Sequence, residues 1–295
     1  MASERGQGTV EWVGLVALVS LAMLALVAAG VRVPGVPLAR AVADRILCAA
    51  SLASSCGDEP ELIAAYGSEV GGLVREQMPM LLFERGSRAV PVDFRRCRSS
   101  ECGDATGEGL VHRTDGRLPV TAFVHAIDCR EGEAEQAEAL GADCSGERAG
   151  NLYLQYWLYY ADSATLRGMP IAGEKGFHED DWESVQFRIR PDGSVDQRAS
   201  SHHGYNYFRS DVNWTSDAGI ATHDGWGPAT HVLLVSGGSH AGNAIGSANS
   251  DHFTPGSRVH LVPLEPIATS STVGFAISPP WLKRVWRDPE AVGTS

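Results

Sequence analysis

Residues 183–203 read ESVQFRIRPDGSVDQRASSHH, and this stretch decides the fold class. Val185, Phe187 and Ile189 alternate with Ser184, Gln186 and Arg188, the period-two pattern of a half-buried strand. Pro191, Asp192 and Gly193 supply turn chemistry, so SVDQRASSHH can return as the antiparallel partner of a hairpin. Working outward, PVTAFVHAID (119–128), NLYLQYWLYY (151–160), HVLLVSGG, SRVHLVPL and STVGFAIS read as further strands. NLYLQYWLYY is apolar on both faces, as expected of a central strand covered on two sides. Helical signals are few. Asp58 precedes Pro60 and Glu61 as an N-cap, Leu62, Tyr66, Val70 and Leu73 follow at helical spacing, and Pro79 ends the pattern. EGEAEQAEALG (131–141) reads as a second, short helix closed by Gly141. Helices do not alternate regularly with strands, so a parallel α/β sheet is disfavoured. The expected fold is mainly β, an antiparallel β-sandwich with a few peripheral helices.

Immediately before the hairpin stands GFHEDDWE (176–183), with four carboxylates and a histidine around one tryptophan. Strand parity places Asp181 and Glu183 on the face of Val185 and Phe187, while Asp180 and Trp182 face the other way. Two carboxylates entering a core require a divalent metal, an arginine clamp or a shared proton. Asp180 reads as solvated, and Glu179 and Asp180 read as turn residues. His178 lies three residues before Asp181, His202 and His203 end the proposed partner strand, and His240 sits in a glycine-rich turn after a strand. Carboxylates and imidazoles converging from strand ends suit Ca²⁺, Mg²⁺ or Zn²⁺, with His178, Asp181, Glu183 and His203 as the candidate ligands. Whether the chain is an enzyme stays open. A hydrolase would use a metal-bound water with Glu183 or His240 as general base. The stretch 204–230 has no clear element yet holds Tyr205, Trp214 and Trp226, which are the candidate contacts for a glycan or lipid headgroup.

The 295 residues carry a net charge of −12, which argues against nucleic acid as a partner. Residues 13–31 hold no charge, and 19 residues suffice to span a hydrocarbon core as a helix. Cys48, Cys56, Cys97, Cys102, Cys129 and Cys144 all follow that span, without zinc-knuckle spacing. Neighbour pairing into three disulfides is the expectation, and it places the bulk of the chain outside the cytoplasm of a single-pass membrane protein. The expected division is 1–32 anchor, 33–74 stalk and helix, 75–288 β domain and 289–295 tail.

Two resemblances accompany these readings. RGQGTVEW resembles the prepilin-type leader of Flp/Tad pilins, with Gly6, Glu11 and Trp12 at the matching places. That resemblance implies cleavage after Gly6, and it keeps open a pseudopilin-like structural role in a secretion or pilus system. HEDDWESVQF, SSHHGY and GGSHAG, together with LQYWLYY and PMLLFERGSRAVPVDF, are similar to blocks of the vacuolar protein sorting-associated family typified by fungal Vps sixty-two. The first two blocks also resemble the necrosis-inducing cytolysins. Those cytolysins imply a β-sandwich, an acidic-histidine metal site and membrane sphingolipid glycans as targets. By position, His178, Asp181, Glu183 and His203 match that motif, whereas Phe177 and Asp180 depart from it. The departures, and a GGSHAG block that follows the vacuolar-sorting pattern, leave cytolysis uncarried.

Overall fold

The structure, a computed structural model, describes residues 60–84, 87–106, 113–164, 177–201, 204–206, 225–244 and 259–291. The segment 13–31 expected as an anchor, the leader-like start, Cys48 and Cys56 lie outside these residues. No helix among the described residues is long and apolar enough to cross a membrane. The chain divides into two compact units, Met1–Gly72 and Leu73–Ser295. Helix α1 (Pro60–Glu76) forms where the capping pattern predicts it, and it breaks at Gly67, whose φ of 77° is left-handed.

From residue 73 the chain is a mixed α/β domain with more strand than helix. Its strands are β1 (Met80–Phe83), β2 (Thr121–Asp128), β3 (Leu152–Ala164), β4 (Phe177–Ile189), β5 (Val195–Ser201), β6 (Gly204–Asn206), β7 (Gly227–Pro228), β8 (Val232–Val235), β9 (Gly242–Asn243) and β10 (His260–Pro263). Short helices α2 (Ser100–Gly103), α3 (Ala134–Ala139) and α4 (Glu265–Ser270) lie between them. The main sheet runs β10-β2-β3-β4-β5-β6, with β7 also on β5, and a smaller sheet runs β1-β8-β9. The β4–β5 hairpin forms as its alternation and Pro-Asp-Gly turn require, with Val185 opposite Ala199 and Ile189 opposite Val195. β3 is central between β2 and β4, and every residue from Leu152 to Tyr160 is buried. Pairing is antiparallel except for β10 with β2 and β1 with β8.

Each face of the main sheet has a different cover. Tyr156, Phe187, Gln197 and Ala199 share one face by register, and the small sheet lies over it. The Gln197 amide donates to the Val232 carbonyl at 2.7 Å, and His231 stacks on Phe187. β9 approaches so closely that a Cβ on Gly242 would stand 3.0 Å from Ala199 Cβ and 2.8 Å from Leu233 Cδ1. The opposite face carries Phe123, Trp157, Tyr159 and Trp182, packed with Phe94, Phe275 and Trp281. There the cover is irregular chain. The segment 279–291 supplies backbone acceptors at Val285 to Gln155, at Trp286 to His125, and at Pro289 and Ala291 to Arg198.

Two expectations need correction. STVGFAIS forms no strand, because the Ala276 amide donates to the Asp180 carboxylate instead of to a ladder. Residues 289–291 are packed chain and not a tail. Glu290 accepts from the Tyr153 hydroxyl on β3, from Arg188 on β4 and from the indole of Trp226, just before β7, so it is a buried acceptor shared by three segments. Two of the expected disulfides are present, Cys97–Cys102 and Cys129–Cys144.

Candidate functional site

The acidic block lies wholly within β4, at the end of the sheet covered by the β8–β9 turn. Asp181 pairs with Tyr160 and Glu183 with Leu158 across β3, on the face of Val185 as parity requires. Asp181 is buried, and the His240 imidazole meets its Oδ2 through Nδ1 at 2.8 Å. His240 is itself buried and lies flat against Tyr160, ring centroids 3.8 Å apart. The His178 Nε2 stands 3.9 Å from the other Asp181 oxygen, with its side chain partly open to solvent. Glu183 Oε2 accepts from the Ser200 hydroxyl at 2.5 Å, at the end of β5. His203 and Trp214 lie outside the described residues.

Electrostatics single this pocket out. Burial, and then the neighbouring Asp181, push the Glu183 carboxyl well above its ordinary value, against the Ser200 hydroxyl and the Lys283 ammonium. Lys283 is buried, which lowers its own value, while Glu183 and Asp181 hold it up. The Tyr160 hydroxyl is fully buried and has no hydrogen-bond partner. Burial first, then Asp181 and Glu183, hold that phenol in its neutral form. An orphan hydroxyl facing two carboxylates is costly, about 1–3 kcal/mol, and such groups collect at functional sites. Non-glycine residues with left-handed backbone stand at both approaches to Asp181: Asp180, φ 60°, and His240, φ 55°.

A pH prediction follows from Glu183. Its folded value exceeds the ordinary 4.5, so the folded state binds the proton more tightly than the unfolded chain. Its contribution to stability is present in acid and declines as pH rises above 4.5 toward the folded value. Glu183→Gln should remove that decline. Thermal melts from pH 4 to pH 8 in chelator will show a flatter profile for the variant; parallel profiles would refute the assignment.

Asp180 departs from expectation. It is buried, and its carboxylate accepts from Arg98 at 2.8 Å, from the Tyr159 hydroxyl at 2.7 Å and from the Ala276 amide at 2.8 Å. Burial opposes ionisation, but these bonds from Ala276, Tyr159 and Arg98 outweigh it and hold the carboxyl below its usual range. An arginine clamp, one of the three outcomes open for Asp181 and Glu183, is thus found on Asp180 between them and Glu179. Sequence reading missed Asp180, Arg98 and Lys283; the lysine, rare in this chain and set among bulky apolar residues, was the one local signal available.

Of the aromatic candidates, Tyr205 and Trp226 are buried and hydrogen-bonded. The Tyr205 hydroxyl meets Ser184 and Gln186, the Trp226 indole donates to Glu290, and Arg198 stacks on both rings. Neither offers a face to a ligand. Among the described residues, no three histidine, cysteine or acidic side chains converge closely enough to hold a metal ion. No family model matches the chain. No curated protein matches it either. Among solved structures the chain is similar to NLPPya in complex with glucosamine, at 17% sequence identity and a TM-score of 0.29, over 72% of this chain and 84% of that one.

Proposed function

We propose that the β4 pocket holds a divalent cation and, through it, a hydroxyl-rich ligand such as a glycan or a lipid headgroup. The observation that carries this reading is the Tyr160 hydroxyl, buried without a partner beside the carboxylates of Asp181 and Glu183. Asp181 and Glu183 would supply the oxygen donors a hard cation takes, with His178, 3.9 Å from Asp181, drawn in as the ion binds. Oxygen donors predominate, so Ca²⁺ or Mg²⁺ suits the pocket better than Zn²⁺. Lys283 already offsets part of the negative charge, which favours an exchangeable ion over a locked structural one. When bound, such an ion would attract ligand hydroxyls by charge, and the chain's own groups would orient them. Two disulfides support a domain that matures outside the cytoplasm, with 13–31 as its membrane anchor and the two sheets as a partly open sandwich.

Elemental analysis of the full-length protein and calorimetric titration with Mg²⁺, Ca²⁺ and Mn²⁺ test this reading. One equivalent bound per chain, lost in Asp181→Asn, is the expected result. No bound metal and no heat from any of the three ions would sink it.

A second reading is favoured by Glu183. A carboxyl held protonated beside Asp181 is suited to deliver a proton to a leaving group, as a general acid in hydrolysis. Glu183→Gln would then abolish turnover of a cleavable ligand while leaving its binding intact. Under the binding reading, no cleavage of any retained ligand is seen.

A further inference from the structure

We infer that Asp180 is the positioning residue that assembles the half-site on β4, and that Arg98 in the Cys97–Cys102 loop locks it. The inference deepens the cation reading above and rests on it for its functional meaning. In a regular strand, residues three apart point to opposite faces and lie about 10 Å apart. His178 and Asp181 are three apart in β4, yet their side chains approach to 3.9 Å. The residue that departs from extended geometry between them is Asp180, φ 60°. Register records the same event: Tyr160 pairs with Asp181 and Asp162 with Glu179, while Ala161 and Asp180 are skipped. The left-handed residue therefore turns the strand so that His178 reaches the face of Asp181.

Aspartate tolerates that backbone better than most residues, but it does not enforce it. Enforcement comes from the carboxylate. Arg98 donates through Nη2 to both oxygens, Tyr159 to one, and the Ala276 amide to the other. Arg98 is fixed in turn by the Gly274 carbonyl at 2.9 Å and by the Phe275 ring beneath it. It directly follows Cys97, whose disulfide to Cys102 closes the loop that presents it. Three separate segments thus converge on one carboxylate.

The test uses the full-length chain with ¹³C-labelled histidine, the His178 ring signal being assigned from His178→Gln. Asp181→Asn should shift that signal in the wild-type background. The shift should fall by more than half in Asp180→Ala and by clearly less in Asp180→Asn, which keeps the backbone tolerance and one of the two acceptor oxygens. In parallel, Mn²⁺ affinity read by paramagnetic resonance should weaken about tenfold or more in Asp180→Ala. A full shift in Asp180→Ala overturns the inference. A general loss of stability would not separate the alanine from the asparagine variant in this readout. Should Asp180→Ala not fold, Arg98→Met leaves the strand sequence intact; a reduced shift there supports the clamp and an unchanged one overturns it. If wild-type protein binds no Mn²⁺, the cation reading fails, and the histidine shifts still decide the positioning role by themselves.

Discussion

Arg198→Ala should lower the unfolding free energy by about 3–5 kcal/mol, one of the largest effects of any single substitution in this domain. Arg198 is fully buried on β5. Its Nε donates to Gln186 Oε1 at 3.0 Å, and its Nη2 donates to the carbonyls of Pro289 and Ala291 at 2.6 and 3.0 Å. The guanidinium also lies between Tyr205 and Trp226, 4.0 and 4.4 Å from their ring centres. Truncation strands several buried acceptors at about 1–3 kcal/mol each and leaves a void between two rings. Arg198→Lys keeps a charge but loses the planar fork and the stacking, so it should recover less than half. Urea unfolding followed by tryptophan fluorescence measures both. A loss under about 1 kcal/mol for the alanine variant would mean that water replaces the guanidinium, against its complete burial.

Trp182→Ala should cost a similar amount, about 3–5 kcal/mol. Its ring meets Phe94, Phe123, Tyr159, Phe275 and Trp281, with centroids 5.0 to 6.2 Å away. The indole nitrogen, however, is buried with no acceptor. Trp182→Phe removes that orphan donor along with some volume, and the two effects offset. Its cost should be about 1 kcal/mol or less. A phenylalanine variant as unstable as the alanine one would show that the indole's volume, and not its aromatic contacts, carries the stability.

The hairpin and the central strand were legible because their signals are local. Alternation from Ser184 to Ile189, the Pro-Asp-Gly turn and the doubly apolar run from Leu152 to Tyr160 each specify burial within a few residues. Two cysteine pairs were legible for the same reason, each closing a short loop. Parity also placed Asp181 and Glu183 together correctly. Asp180 was misread because an aspartate at a strand's head is solvated unless a distant donor reaches it, and Arg98 lies 82 residues away. The small sheet was hidden likewise: β1 pairs in parallel with β8 across most of the domain, with no turn to announce it. The cover at 279–291 works through backbone carbonyls, which every residue possesses, so its side chains could not reveal it.

That cover has a consequence for how the domain is made. Synthesis runs from the N-terminal end, and residues 285–291 follow every strand they complete. Until they emerge, Gln155, His125 and Arg198 have no carbonyl to meet, and Tyr153, Arg188 and Trp226 have no Glu290. Each of these groups then lacks one of its buried partners, which raises the cost of burying it. Completion of this cover therefore waits until residues 285–291 have been made, after every strand they join.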